Sequence, residues 1–405
     1  MAEALSIDLF SLEYRANPYQ FYARAREQGP LYQFAQYDEH AGWMVMRYED
    51  AEEILRDPRF IKHIRSLIPP EERRAPDSPL AMALEQINNH MLSSDPPDHT
   101  RLRGLVSKAF TPRMIEQWRP RIQEITDALL DAVQEHGEMD LISDFAFPLP
   151  MTVISEMLGI PDADRQQFRT WSNMIINSFG SQENFEQIIP DMMAFAQYLF
   201  GYIEQRRQHP QDDLVSKLLL AEEAGDKLAQ NELISMIFLL LVAGHETTVN
   251  LLGNGMLALL LHPRQIEKLQ QQPDLIRSAV EELLRYNGPL YTATGRWASE
   301  DVNYKGTMIK RGDAVIIGLS SANHDGQQFA DGEDLDITRK ENQHLAFGKG
   351  IHYCLGAPLA RLEGQIAIST LFRRFPNLHL NTDPRALTWR PGTLVHGLNE
   401  LPVSF

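Results

Sequence analysis

Apolar residues recur at three- and four-residue spacing over residues 113–134, 185–208, 233–261, 273–286 and 358–375, the period of helices that bury one face. The segment 233–261 is apolar nearly all round, which predicts a helix inside the protein rather than on its surface. At 1.5 Å rise per residue it reaches about 43 Å, enough to cross a whole domain. Extended, turn-punctuated stretches are fewer: 43–47 near the start, then 301–318, where Lys305-Gly306 and Arg311-Gly312 mark turns. The pattern predicts a mainly α protein with a small β region. No linker, low-complexity tract or internal repeat divides the chain, so one domain over residues 1–405 is expected.

The long apolar helix has a polar interruption, AGHETT, at 243–248. Burying a carboxylate and two hydroxyls there is costly unless they have partners or work to do. A Thr hydroxyl that bonds back to the preceding turn, beside Gly244, predicts a local distortion of the helix and a groove next to it. Glu246 as a proton source and Thr247 as a hydrogen-bonding hydroxyl are suited to passing protons into such a groove. His245-Glu246 does not make a zinc-protease motif, because HExxH needs His at position 249 and this chain has Val249.

Residues 347–356, FGKGIHYCLG, hold the only cysteine, Cys354, among Gly348, Gly350 and Gly356. Glycine lets backbone N–H groups approach a sulfur closely. Leu355, Leu359, Leu362, Ile366 and Phe372 follow near helical spacing, which puts Cys354 at a helix N-terminus. Both features are expected to favour the thiolate, a metal-ligating form. A single cysteine excludes an intramolecular disulfide. In DPPDHTRLR, His99 and Arg103 stand four apart on one helical face after Pro96 and Pro97.

Phe347, Gly350, Cys354 and Gly356 fit an FxxGxxxCxG signature, and the chain resembles the cytochrome P450 superfamily, haem-thiolate monooxygenases of the soluble bacterial type. It looks closest to the branch with macrolide hydroxylases and a fatty-acyl-cleaving biotin-pathway enzyme. The resemblance implies that haem b (iron protoporphyrin IX), with Cys354 as axial ligand, lies between the long central helix and the helix after the Cys loop. The haem's two propionates need cations within hydrogen-bonding reach. The resemblance assigns them His99, Arg103, Arg296 and His352, with Ala243, Gly244, Phe347, Gly348 and Gly356 also against the cofactor. Glu246 and Thr247 match the family's acid–alcohol pair. Glu282 and Arg285 match its ExxR, with Arg339 as third member of a structural network.

The same resemblance implies oxidation of a lipophilic small molecule, such as a fatty acid, terpenoid, steroid or macrolide, with dioxygen as co-substrate. Its pocket would be lined from 80–92, 171–185, 240–243, 290–294 and 393–395, with Leu240, Ala243, Leu290, Thr292 and Leu394 as contacts. Met174, Ile175, Ile176 and Val395 add to its apolar character. The length, taken up by the haem domain, leaves no room for a fused electron carrier. Electrons are therefore expected from a ferredoxin or flavodoxin with its NAD(P)H-dependent reductase, docked near Lys108, Lys349 and Arg361. The alternatives are a peroxide-driven haem-thiolate peroxygenase and a non-enzymatic haem sensor or carrier.

A formal charge of −17, from 38 basic and 55 acidic residues, argues against nucleic acid as partner. The N-terminus carries no export signal, and the longest apolar run, 236–244, falls far short of the roughly 20 residues of a membrane helix. A cytoplasmic protein with no membrane partner is expected.

Overall fold

The computed structural model describes residues 18–34, 41–73, 87–178, 188–223, 228–390 and 392–405. Six helices build the ground around the Cys loop: α1 (Asp98–Ala109), α2 (Arg119–Val133), α3 (Pro148–Met157), α4 (Gln230–Leu260), α5 (Ile276–Tyr286) and α6 (Ala357–Arg374). Helix α4 packs on α3, α5 and α6, while α6 also packs on α2 and α5. The main core lies between these helices, with Leu241, Leu252, Leu283 and Leu371 fully enclosed.

By length and composition the whole of α4 would pass for a membrane span. Its apolar side chains are instead buried against α3, α5 and α6, and it also buries Glu246, Asn250 and Asn254. The start of α4 is fixed by the Glu232 carboxylate, which accepts the Ala229 N–H at 2.7 Å and pairs with Arg101 of α1 at 2.5 Å. The helix runs through without a break, although Thr247 Oγ1 donates to Ala243 O at 2.7 Å and Thr248 Oγ1 to Gly244 O at 3.2 Å.

The stretch 113–134 is two helices, Pro112–Gln117 and α2, that meet at Trp118. Pro120 explains the break: it lacks an N–H and its ring clashes with the carbonyl four residues back. Likewise 273–286 opens as a tight turn, Pro273–Leu275, before α5. The helix expected over 185–208 runs Ile189–Gln208, and residues 185–187 lie outside the described ones.

The β region is small. Strands β1 (Leu31–Phe34), β2 (Gly42–Val45), β3 (Phe60–Ile61), β5 (Arg296–Ala298) and β8 (Ala314–Ile317) form one sheet in the order β1-β2-β8-β5-β3. β4 (Glu138–Asp140), β10 (Pro402–Ser404) and β9 (His379–Leu380) form a second, and β6 (Val302–Tyr304) with β7 (Thr307–Ile309) a hairpin. That hairpin turns on Lys305 and Gly306, both with positive φ (46° and 92°), as the sequence there predicts.

The Cys loop is wedged against the helix Tyr48–Arg56. Gly350 has φ +72°, and a Cβ on it would meet Leu55 O at 2.7 Å. Only glycine fits both the left-handed backbone and the close approach. Gly350→Ala is expected to destabilise the protein by at least about 1–2 kcal/mol. Thermal unfolding of the purified variant, with a lowered Tm, checks this.

Candidate functional site

Cys354 sits three residues before the start of α6, whose first turn contains Pro358 and whose N-cap is Gly356. Its N–H donates to Phe347 O at 2.9 Å, closing the loop on itself. The backbone N–H groups of Gly356 and Ala357 lie near the sulfur and favour its thiolate. Burial nonetheless pushes the Cys354 thiol up, and it outweighs those N–H groups and nearby Arg103, which pull it down. The expected preference for thiolate is therefore not set by the loop and helix alone; a bound cation is what deprotonates a coordinating thiol outright.

A cavity separates this loop from α4. Its roof is Leu240, Ala243, Gly244, Thr247, Thr248 and Leu251; its floor includes Phe347, Gly348, Cys354 and Gly356. His99, Arg103, Arg296 and His352, drawn from α1, β5 and the Cys loop, line one edge. The imidazoles of His99 and His352 have centroids 4.4 Å apart, and His99 Nε2 is buried without a hydrogen-bond partner.

Burial, together with neighbouring positive charge, holds His352 down at about 3. Arg296 is pushed down to about 10 by burial, and Arg103 and His99 are lowered by the same cause. Among the described residues none of the four makes an ion pair within 4.0 Å. A group bearing two carboxylates is what this edge lacks, so the residues present fit a haem.

Glu246 is buried, and burial raises its carboxyl above the ordinary value. Its Oε1 accepts from Arg390 Nη1 at 2.8 Å, while Oε2 has no partner. Thr247 faces the cavity, but Glu246 does not line it and makes no hydrogen bond to Thr247. Successive helical residues point about 100° apart, so neighbours in sequence face different surroundings. A second buried acid, Glu363 of α6, lies beside Thr248; burial raises it to about 8, and no hydrogen bond of good geometry reaches either oxygen.

Of the expected pocket contacts, Leu240, Ala243 and Leu290 line the cavity. Thr292 and Leu394 do not. Thr292 Oγ1 donates to Thr393 O at 3.3 Å, and Leu394 belongs to the strap bridged to Leu290 through Val395. Met174 is partly buried against the main core, whereas the side chains of Ile175 and Ile176 and all of 80–86 and 179–185 lie outside the described residues. The expected docking cations are not free charges. Arg361 is held bidentately by Glu281 at 2.7 and 2.8 Å and stacks on Phe347 at 4.5 Å, and Lys349 pairs with Glu52 at 3.1 Å.

Glu282 and Arg285 form a bidentate pair at 2.8 Å with both side chains fully enclosed. Arg339 Nε adds to it at 3.2 Å and Asn342 at 3.0 Å. Arg285 also donates to Asn323 O at 2.9 Å, and the Asn323 side chain accepts the Leu345 N–H at 2.7 Å. The network thereby fixes the segment that leads into the Cys loop.

A family model described as cytochrome P450 matches residues 5–396. The chain belongs to the cytochrome P450 family. It is 46% identical to the polyketide biosynthesis cytochrome P450 PksS of Bacillus subtilis over 97% of this chain and 96% of that protein. It is 43% identical to the vitamin D(3) 25-hydroxylase of Pseudonocardia autotrophica over 98% and 96%. Among solved structures, PksS superposes with a TM-score of 0.91 at 45% identity (98% and 99% covered). The myxobacterial CYP267B1 in complex with myristic acid gives 0.89 at 45% (98% of both chains). The fold is thus that of a cytochrome P450, and the protein is a P450 monooxygenase whose cofactor is haem with a cysteine thiolate axial ligand.

Sequence reasoning missed Arg390, Lys62 and Glu363, which stand behind the site against Glu246, Thr294 and Thr248. Arg390 and Lys62 reach it through long-range pairings that carry no local signal. Removing one partner of the enclosed acid–base pair strands a buried charge, a loss of about 3–5 kcal/mol. Glu282→Ala is expected to yield protein without incorporated haem, checked by the Soret-to-protein absorbance ratio; a fully loaded, stable variant would refute the role.

Proposed function

We propose that Cys354 supplies the axial thiolate of this P450, that His99, Arg103, Arg296 and His352 hold the haem carboxylates, and that the enzyme hydroxylates or epoxidises a lipophilic small molecule. The observation that carries this is the cavity itself: one sulfur on its floor, a hydroxyl-bearing helix as its roof, and two arginines and two histidines without acidic partners on its edge. When bound, the haem supplies activation of dioxygen and transfer of one oxygen atom to substrate.

The chain's own residues do the rest. Thr247 spends its proton on Ala243 O, so its oxygen offers an acceptor to the cavity until that bond breaks. Glu246, raised by burial and restrained by Arg390, holds a proton more readily than an exposed glutamate and is placed to take one up and give it back. Because the acid does not touch the hydroxyl, the two act through an intervening water or a side-chain rotation. Leu239, Leu240, Leu290 and Ala293 give the cavity an apolar wall suited to a hydrocarbon-rich substrate. The relatives named for a polyketide, for vitamin D(3) and for a bound fatty acid support a lipophilic substrate of that size range. Electrons come from separate ferredoxin or flavodoxin partners with an NAD(P)H-dependent reductase, in the cytoplasm, to a chain that works as one haem domain.

Two outcomes test this. The reduced native protein with carbon monoxide should show the red-shifted Soret band of thiolate-bound haem, and Cys354→Ala should lose it. Thr247→Ala should still consume reductant yet release more peroxide per product, measured with a peroxide assay beside product analysis; unchanged coupling would count against the hydroxyl's role.

A further inference from the structure

Lys62 stands one residue past β3. The antiparallel register, Phe60↔Ala298 and Ile61↔Trp297, sets it directly across from Arg296 on β5. Both cations are buried, at 7% and 4% exposure. Like charges opposite one another in a sheet are destabilising, and more so away from water.

The side-chain nitrogen has neutral partners only. Nζ donates to Thr294 O at 2.9 Å and to Gly295 O at 3.1 Å, and the Thr294 hydroxyl, able to donate or accept, is its third partner. Asp95, the nearest carboxylate, accepts from the backbone N–H groups of Lys62 at 2.9 Å and His63 at 2.9 Å rather than from Nζ. The other groups that face this cluster are all basic: Arg296 on β5, His352 in the Cys loop, and His99 and Arg103 on α1. Lys62 itself does not line the cavity; it grips the backbone just before Arg296, which does. Burial and Arg296, with only Asp95 opposing, hold Lys62 down at about 6.

We propose that Lys62 is a charge-responsive latch of the cofactor cradle, neutral while the surrounding cations are unbalanced and protonated once the two haem carboxylates balance them. Haem binding thus takes up one proton from solvent onto the Nζ lone pair, and the resulting ammonium tightens its grip on the Thr294–Gly295 carbonyls that position Arg296. Lys62 is a positioning residue for the cofactor, and this role rests on the assignment of Arg103 and Arg296 to the haem carboxylates.

The sign follows from linkage. Filling the cradle raises the lysine above its value of about 6, so its contribution to haem retention is complete at low pH and is lost as pH rises through the raised value. Haem transfer from the loaded enzyme to excess apomyoglobin, followed by Soret absorbance between pH 6 and pH 9, reads this directly. Lys62→Met should transfer haem about tenfold faster than native protein at pH 6 and approach the native rate at pH 9. Lys62→Arg, permanently charged, should keep native retention at pH 6 and lose less of it at pH 9. A Lys62→Met profile that runs parallel to the native one at every pH, or coincides with it, overturns the latch. Arg103→Gln in the same assay tests the cradle separately: haem held as tightly as in the native protein would overturn the assignment of the carboxylate edge, and with it the latch.

Discussion

Uncompensated positive charge in a buried place is the constraint around which this structure is arranged. Arg103 and Arg296 meet His99 and His352 at one edge of the cavity, Lys62 stands behind Arg296, and burial lowers every one of them. A protein gains nothing by assembling such a group for its own sake, because each desolvated cation opposes folding. The arrangement makes sense only if an anionic ligand completes it. Cys354 obeys the same logic on the cavity floor: burial raises the thiol against the N–H groups that would favour the thiolate, so a metal cation is the missing partner there. One ligand that is cationic at its centre and dianionic at its rim satisfies both demands, and haem is that ligand.

The rest of the fold holds these groups in place with contacts that are already satisfied. In the Glu282–Arg285–Arg339 network both arginines bond the enclosed Glu282 carboxylate, and through Asn323 it reaches the backbone at Leu345, just before the Cys loop. Glu281 does the same from the neighbouring position by gripping Arg361 of α6 and His344. Helix α5 therefore anchors the loop on both sides, with one acid turned inward and the next toward α6.

Much of this was legible in the sequence because it is local. The Cys loop, the polar interruption in an apolar helix, and the i,i+3 acid–base pair of α5 are short-range patterns that a sequence displays directly. What escaped depends on pairing between distant segments. Lys62 belongs to the cradle only because β3 registers against β5, and Arg390 meets Glu246 only because the C-terminal strap folds over α4. Helix breaks at Pro120 and Pro273 were written in the sequence, but the apolar period ran through them. Thr292 and Leu394 do not line the cavity; Thr292 is turned to Thr393 O and Leu394 neighbours the Leu290↔Val395 bridge, long-range pairings that the local sequence does not carry.

The sulfur of Cys354 bonded to the haem iron is the central claim, and X-ray absorption at the iron edge of the loaded ferric protein tests it most directly. The account predicts one sulfur neighbour in the iron's first coordination shell, lost in Cys354→Ser. A shell of nitrogen and oxygen alone in the native protein, or a sulfur that persists in the variant, would contradict it.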